Sequence, residues 1–505
     1  MCAPDSAMQH ERMQTPHRRH AARKPLLAAL LAALLGGCAS APPAQRGVTL
    51  QSSALALEQS SLRDPGLQHF IAVQTGAPQA AGQPWTLQRL SLAALYFHPD
   101  LQVSRASEQL AEADLQIARQ RPNPSLQLGL KYGGAAALMA PSPWTVGAAI
   151  GLLLQSHAQR AAQTAHAQAG VRAARRLLHA VRCQVRARVQ QAGIALWAAQ
   201  QQLLLQQQVL DAALALQSRA AARARAGMDS PLAAALAQQS AQDAALQKSR
   251  DLGAERAAQI ALATAIGVPD AALQGVRIDF SDLDAAPPDP DAADLARLRR
   301  KALLERDDVR AAWQRVQAAQ AALQLAQTLR DGGAPSIAPG AERDQGVNRL
   351  VLGVRVPLPL FNQHQGQIAA ARARLAQREA MLKQTQAQAL ARIEQAETAL
   401  SAAQAQARQS AQLIAVNSAL LAADSAAQAK GLIGPAQPLR AQLRLLSTER
   451  AALQARAAQW HAYAALQSAL QQQIPPTKAQ RPDTSPVPAA LSAPTHLSRV
   501  IWRTE

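Results

Sequence analysis

The chain has 505 residues, of which 49% are apolar and only 3% aromatic, and its formal net charge is +19. A charge of this size raises nucleic acid as a partner. The arginines, however, are scattered singly through Ala/Gln-rich stretches, and no aromatic residues are interleaved with them to stack on bases. The composition argues against a nucleic-acid binder and favours a basic exterior that faces anionic lipid or acidic partners.

Residues 1–37 are predicted to be a secretory signal. Basic residues precede an apolar core from Leu26 to Leu35, which is too short to span a bilayer. The core ends in Leu35-Gly36-Gly37-Cys38, which resembles the bacterial lipobox, in which the cysteine is acylated and becomes the mature N-terminus. Ala39 then permits sorting to the outer membrane, by the precedent of bacterial lipoproteins. An ordinary signal with a chance cysteine is the alternative.

The cysteine count fits this placement. The signal removes five basic and two acidic residues, so the mature chain keeps a charge of +16. Cys2 leaves with the signal and Cys38 would carry lipid, so Cys183 alone remains and no intrachain disulfide is possible. We therefore expect no cofactor other than this covalent lipid, and a fold that rests on packing.

Two similar halves follow the signal. Residues 38–84 are of low complexity and are expected to form an extended, lipid-anchored lead. The first repeat is assigned to 85–283 and the second to 292–473, with a Pro- and Asp-rich linker over 284–291. The last segment, 474–505, carries six prolines and is expected to be disordered.

Each repeat opens with helices. A helical pattern begins at Trp85, and a second helix starts after His98 and ends before Pro122. In the later half, Arg306-Asp307-Asp308-Val309 is predicted to be the equivalent helix start. An acidic residue early in the first turn is favourable there because of the helix dipole.

Each repeat then supplies two strand candidates of alternating polarity. In the first repeat, one predicted strand has an apolar face that carries Leu126, Leu128, Leu130 and Tyr132, and the next predicted strand is Trp144–Leu154. In the second, a weak pattern near Ile337 to Arg343 precedes a clear strand whose apolar face carries Leu350, Leu352, Val354, Val356, Leu358 and Leu360. These segments reach the roughly 9 to 11 residues of a transmembrane strand, with the apolar rows toward lipid.

The number of strands constrains the assembly. Four strands cannot close a barrel, and an open edge in hydrocarbon leaves backbone groups unsatisfied at several kcal/mol each. The barrel must then be shared between chains, which predicts an obligate oligomer. The alternative is a soluble sheet that packs on the helices.

Each strand pair runs into a very long helix. The first covers about Gln155 to Ala226, or roughly 105 Å at 1.5 Å per residue. From Leu178 to Leu210 its apolar positions follow the coiled-coil period, with Gln206 as the one polar member. The second covers about Gln363 to Lys430. The predicted fold is mainly α with a small membrane β part.

Both long helices end at similar turns. Gly227 and Gly431 suit a left-handed position after a helix, and Pro231 and Pro435 suit the start of the next one. Returning helices are predicted to end near Gly267 and Gln473. Any helical hairpin needs such a turn, so these turns alone do not indicate a function.

Taken together, the signal with Cys38, the RPNPSLQLGL stretch from Arg121, the LPLFNQHQGQIAAARA run from Leu358 and the paired turn glycines resemble the TolC-type outer membrane factors of Gram-negative efflux and secretion systems. The resemblance implies a homotrimer in which each chain gives four strands to one β-barrel and paired helices to a periplasmic α-helical barrel. It also implies a periplasmic adaptor and an inner-membrane pump as partners.

The resemblance also suggests site residues. The adaptor would contact the hairpin tips, formed by Gly227, Met228, Asp229, Ser230, Leu232, Gly431, Leu432, Ile433 and Gly434. Family members often carry acids six and nine residues beyond the second tip glycine, where this chain has Gln437 and Arg440. The hypothesis that follows is a weakly acidic or basic pore constriction, and the alternative is that Arg440 faces outward and pairs with a neighbouring chain.

The substrate and the rival classes rest on weaker signals. Asn362-Gln363-His364-Gln365-Gly366 resembles subgroups that serve heavy-metal cation efflux, which we favour over drug-like compounds or secreted proteins. No metal site is predicted, since His157 and His364 stand alone.

An enzyme would need more than the carboxylate pair of Asp282 and Asp284, so no catalytic residue is assigned. A lipid-anchored coiled-coil scaffold is the third possibility.

Overall fold

A computed structural model describes residues 47–77, 79, 82–133, 142–330, 334–344, 346–472 and 474. The signal, Cys38 and the segment after Ile474 lie outside the described residues, so the predictions made for them stay predictions. The chain divides into two compact units at Leu57 and Glu58. The described part of the first unit is mostly helix α1 (Leu50–Glu58), all of it exposed.

The second unit holds the other elements, and its helices come first. They are α2 (Pro65–Thr75), α3 (Leu87–Phe97), α4 (Pro99–Arg119), α5 (His157–Arg225), α6 (Pro231–Ile266), α7 (Ala292–Glu305), α8 (Asp307–Arg330), α9 (Gln365–Ala429) and α10 (Ala436–Leu470). The strands are β1 (Trp85–Thr86), β2 (Ser125–Tyr132), β3 (Trp144–Leu153), β4 (Ile278–Asp279), β5 (Ser336–Asp344) and β6 (Val347–Arg355). Strands β2, β3, β5 and β6 form one antiparallel sheet in that order, and β1 pairs with β4 in parallel.

The two predicted long helices are present and dominate this unit. Helix α5 has 69 residues and α9 has 65, each beginning and ending within two residues of its predicted bounds. The predicted coiled-coil row of α5 is buried or half-buried along its whole length. Its polar member Gln206 is 2% exposed and donates a hydrogen bond to the Ala244 carbonyl at 2.9 Å. Burial of the amide is tolerated because it has a partner.

The long helices are each flanked by shorter ones. Helix α5 contacts α4 and α8 toward the strands and α6 and α10 toward the hairpin turns, and α9 contacts α8 and α10. The helices therefore lie side by side in the order α4, α5, α8, α9 next to the sheet and α6, α5, α10, α9 next to the turns. This arrangement is a wall one helix thick, with α9 on one edge and α4 and α6 on the other.

The short helices of the first repeat meet end to end where α6 stops and α4 starts. Gly267 ends α6 with φ of 88°, and a Cβ atom placed there would lie 2.9 Å from the Cα of His98. His98 caps α4, because its Nδ1 accepts a hydrogen bond from the Asp100 amide at 3.2 Å. Burial lowers the pKa of His98 below its usual value, which favours the neutral ring that the cap requires.

The second repeat builds the same joint from other residues. Arg306 is buried between α7 and α8 and donates to the Ala469 carbonyl near the end of α10 and to the Asp308 carboxylate. The Asp307 amide donates to Oε1 of Gln471 at 2.8 Å. The predicted helix start at Arg306 and Asp307 is confirmed. Arg306 thus links the end of α10 to the start of α8 by hydrogen bonds. In the first repeat, the corresponding helix ends meet through the close approach of Gly267 to His98.

The apolar core is concentrated at these two joints. Around the first lie Leu90, Leu101, Val185, Leu262 and Ile266, and around the second lie Ile393, Leu400, Leu466, Leu470 and Ile474. Full burial of one such side chain contributes about 1.5 to 3 kcal/mol. Elsewhere the wall is closed mainly by alanine, which lets neighbouring helices approach closely.

The expectation of an extended segment over 38–84 is wrong where the structure describes it. Helix α2 forms because the Asp64 carboxylate accepts hydrogen bonds from the first amides, Pro65 occupies the first turn and Gly76 ends the helix with φ of 81°. Leu67 and Ile71, one turn apart, are completely buried against the first joint. The sequence did not indicate this helix because Leu67 and Ile71 lie in a polar, low-complexity context.

The helical pattern predicted from Trp85 begins two residues later. Trp85 and Thr86 pair in parallel with Ile278 and Asp279, so the backbone there is extended. The Thr86 hydroxyl then accepts a hydrogen bond from the Arg89 amide and caps α3. Among the residues that the structure describes, no helix combines the length and the apolar character needed to cross a membrane.

The joint at Gly267 yields a test. Gly267→Ala should lower the free energy of unfolding by at least about 1 to 2 kcal/mol, because alanine is disfavoured in left-handed backbone and its Cβ meets His98. The control is Gly170→Ala inside α5, where nothing lies within 4 Å of the new Cβ and stability should rise by up to about 1 kcal/mol. Thermal unfolding followed by far-UV circular dichroism in detergent compares the two, and equal melting temperatures would contradict the assigned joint.

Candidate functional site

The four-stranded sheet carries one continuous apolar row. Its register pairs Leu128 with Ala148, Ala148 with Ala341 and Ala341 with Leu350, so residues of the same face line up across all four strands. The row is exposed in the single chain, at 69% for Leu128 and 92% for Leu350. An apolar face of this extent has to be covered by something other than water.

Strand β6 is shorter than the sequence predicts. It ends at Arg355, and Val356, Leu358 and Leu360 lie beyond it, outside the sheet. The prolines at 357 and 359 have no N–H group with which to continue the ladder, which explains the difference. Leu358 and Leu360 are 72% exposed and Phe361 is 98% exposed, so the apolar surface continues from the strand into the loop.

The sheet has two edges without a strand neighbour. Within the described residues β2 pairs only with β3, and β6 pairs only with β5. The outward N–H and C=O groups of both edge strands are therefore available to another strand. The edges lie on opposite sides of the sheet, so one chain can pair with two others.

The turn between α5 and α6 forms the first predicted tip. Gly227 has φ of 71°, and the Gly227 and Met228 amides donate to the Ala224 and Arg223 carbonyls in a Schellman motif. Arg223 grips Asp229 with two hydrogen bonds of 2.7 and 2.9 Å, which holds the pKa of this carboxyl below its ordinary value. Met228 and Leu232 point apolar side chains into solvent, at 61% and 67% exposure.

The turn between α9 and α10 forms the second predicted tip. Gly431 has φ of 74°, and the Gly431 and Leu432 amides repeat the Schellman motif on Gln428 and Ala427. No side chain caps the following helix, which starts after Pro435, and Leu432 is 74% exposed. The predicted left-handed glycines are thus confirmed in both turns, each beside one strongly exposed leucine.

Contacts between the hairpins bring the two tips together. Nη1 of Arg219 donates to the Pro435 carbonyl at 2.9 Å, and Leu216 packs near Leu439. Arg440 is exposed and close enough to Asp229 that its positive charge adds to that of Arg223 in lowering the Asp229 pKa. The structure therefore places Arg440 within electrostatic range of the first tip, while Gln437 is exposed one turn nearer the second.

Several residues that shape this region were missed by sequence reasoning. Arg219 and Arg223 lie in the last turns of α5, where basic residues complement the helix dipole, and that position was the available signal. Farther from the tips, Arg450 of α10 contacts Gln206 of α5 at 3.2 Å and Asp251 of α6 at 3.8 Å. These partly buried polar contacts join the two hairpins, and only the folded chain reveals them.

The polar segment between Asn362 and Gly366 forms the turn into α9. The Asn362 side chain accepts a hydrogen bond from the His364 amide at 2.9 Å, and the His364 ring contacts Oε1 of Gln367 at 2.8 Å. His364 itself adopts a left-handed backbone with φ of 58°. In the part of the chain that the structure describes, no group of three or more His, Cys, Asp or Glu could hold a metal ion.

The remaining candidates from the sequence have ordinary surroundings. Asp282 and Asp284 are exposed near the start of the linker. Cys183 is a free, half-buried thiol on α5, and burial raises its pKa, which disfavours the reactive thiolate. Neither position combines a nucleophile with a base.

Comparison with known proteins agrees with this architecture. A family model described as outer membrane efflux protein matches residues 90–268. No curated protein matches the sequence. A solved membrane protein from Pseudomonas aeruginosa superposes with a TM-score of 0.63 at 20% identity, covering 76% of this chain and 92% of that one.

Two further structures have the same fold. The outer membrane protein VceC from Vibrio cholerae gives a TM-score of 0.61 at 19% identity, with 77% of this chain and 97% of that chain covered. CusC, whose crystal structures are described in terms of folding and transmembrane channel formation, superposes with a TM-score of 0.61 at 17% identity. The match covers 76% of this chain and 91% of that chain. Residues 90–268 therefore resemble the outer membrane efflux protein family, and the fold is the one found in these outer membrane proteins.

Proposed function

We propose that three copies of this chain form the outer-membrane exit duct of a tripartite efflux system. Substrate would be delivered by an inner-membrane pump through a periplasmic adaptor and would leave passively. The observation that carries this proposal is the sheet, which joins a continuous exposed apolar row to two unpaired edges. In a bilayer, such a sheet is stable only if its edges pair with those of other copies.

The helical wall supports the same assembly. Val103, Leu110 and Ile117 on the edge helix α4 recur every seven residues and are 65% to 67% exposed. A heptad row of this kind is the seam that a second long helix would cover. The opposite edge is α9, so closing a ring would bring α9 of one chain against α4 of the next.

The tips suit an adaptor. Gly227 and Gly431 turn the backbone sharply, and Met228, Leu232 and Leu432 present apolar side chains at the far end of the hairpins. Exposed apolar residues rimmed by arginine are typical of a protein contact site. We assign the adaptor contact to the tip residues named from the sequence.

The lipid anchor is also part of the proposal. Cys38 would be acylated, and each acyl chain contributes about 0.8 kcal/mol per buried CH₂, so a triacylated cysteine holds the chain on the membrane independently of the sheet. An alternative function, a lipid-anchored periplasmic scaffold, would use the same anchor without inserting strands.

Assembly and lipidation are tested together. Detergent-extracted outer membranes should give a heat-modifiable trimer for the wild type and for Cys38→Ser, because the strands and not the lipid hold the trimer. Labelled palmitate should enter the wild type and the control Cys183→Ser but not Cys38→Ser. Release of Cys38→Ser as a monomer would contradict the channel and favour the scaffold.

The proposed substrate class is heavy-metal cations. Support comes from the resemblance of Asn362–Gly366 to members that serve cation efflux, whereas in this chain those side chains form a turn. We therefore place cation selection in the pump and treat the duct as a passive path. Drug efflux and type I protein secretion are the alternatives.

Growth assays decide the substrate class. Host cells that lack the chain should tolerate a several-fold lower concentration of a toxic divalent cation, and the wild-type gene should restore tolerance. Drug susceptibility and the secreted proteins serve as controls and should be unchanged. A change in drug susceptibility or in secretion without any change in cation tolerance would overturn the assignment.

The constriction near the second tip is proposed to be weakly acidic or basic. Gln437 carries no charge and Arg440 is positive, while the nearby Asp229 is already held by Arg223. A ring of three such sites would not attract cations as a ring of acids does.

Single-channel recordings in a salt gradient test this idea. Arg440→Asp should shift the reversal potential toward cation selectivity, because it replaces three positive charges with three negative ones per trimer. Arg408→Asp, on α9 far from the tips, makes the same charge change and should leave selectivity nearly unchanged. Strong cation selectivity in the wild type that persists unaltered in Arg440→Asp would show that Arg440 does not face the pore.

A further inference from the structure

A groove with three arginines lies on one side of the wall, in its strand-proximal half. It has a volume of about 640 Å³ and lies between α8 and α9, and His166 of α5 also lines it. Arg315 comes from α8, and Arg374 and Arg378 come from consecutive turns of α9. The rest of the lining is mainly alanine and leucine. We call this feature the arginine groove.

The three guanidinium groups have no acidic partner. No carboxylate lines the groove, and among the described residues none of the three forms an ion pair. Within the described ranges, the side-chain hydrogen bond of Arg378 goes to the Met381 sulfur, at 3.5 Å. By contrast, Arg176, which does not line the groove, has an acidic partner, because it pairs with Asp307 at 3.1 Å.

The groove brings like charges close together, although Arg315 and Arg374 remain exposed to solvent in the single chain and Arg378 is half-buried. Burial lowers the pKa of Arg315, and repulsion from Arg378 lowers it further. Guanidinium groups stay charged even so, and an anion between them would relieve their mutual repulsion.

We propose that the arginine groove binds a soluble oxyanion of the phosphate type, either inorganic phosphate or a small phosphorylated compound. Guanidinium forks bind phosphate oxygens two at a time, and a volume of this size accommodates a small organic molecule. The alanine lining leaves room for the ligand beside the helices.

The position of the groove favours a soluble anion over a lipid headgroup. Arg374 lies nine residues into α9, so about 14 Å of helix separate it from the turn that follows the sheet. The headgroup layer adds only about 5 to 7 Å on each side of the hydrocarbon core. The site therefore belongs to the periplasmic part of the wall, and it does not depend on which substrate the duct carries.

Binding of radiolabelled inorganic phosphate to the full-length protein in detergent tests the inference. The wild type should bind one phosphate per chain, and Arg374→Gln and Arg378→Gln should each weaken binding about tenfold or more, the effect of losing one charged hydrogen bond. Arg372→Gln is the matched control, because this exposed arginine is on the same helix but does not line the groove. Its affinity should equal that of the wild type.

The other outcomes overturn the inference. Equal binding by the wild type and by Arg374→Gln would mean that phosphate binds elsewhere. A loss of trimers in Arg374→Gln and Arg378→Gln, with no phosphate binding by the wild type, would assign the arginines to pairing between chains. Retention of phosphatidylglycerol from mixed vesicles, without binding of free phosphate, would assign the groove to a lipid headgroup.

Discussion

The contact between helix ends in the middle of the wall is the interaction on which the rest of the structure depends. Helices α5 and α9 are far longer than their partners, so each is flanked by two shorter helices that have to meet without a gap. In the first repeat the meeting is possible because Gly267 has no Cβ to strike His98. In the second, Arg306 bridges the ends by hydrogen bonds. With these joints in place, the sheet and the tips are held at opposite ends of continuous helices.

Much of this architecture is readable from the sequence, and the reason is that its signals are local. The long helices follow from uninterrupted periodicity, and the tips follow from glycine and proline at fixed positions in each turn. Prediction failed where a local signal was weak or misleading. Helix α2 was missed because Leu67 and Ile71 are its only buried apolar residues. Strand β6 was predicted too long because apolar residues continue to alternate past Arg355, where the hydrogen bonds to β5 have already ended.

The candidate sites were only partly predictable, for a different reason. The tip glycines could be named in advance because their backbone conformation is a property of the residue itself. The grip of Arg223 on Asp229, the approach of Arg440 and the convergence of Arg315 with Arg378 depend on how separate helices pack. Sequence spacing holds little information about such contacts in a chain where arginine is common and scattered.

The two tips share one backbone geometry but differ in the side-chain contacts that hold them. The first is clamped by a two-pronged ion pair, and Ser230 caps the helix that follows; the second has glycines at 431 and 434 and no side-chain cap. In the trimer proposed above, three turns held by an ion pair would alternate with three turns that lack one. An adaptor of the kind proposed above would therefore meet turns held by an ion pair at the first tips, and turns with fewer side-chain contacts between them.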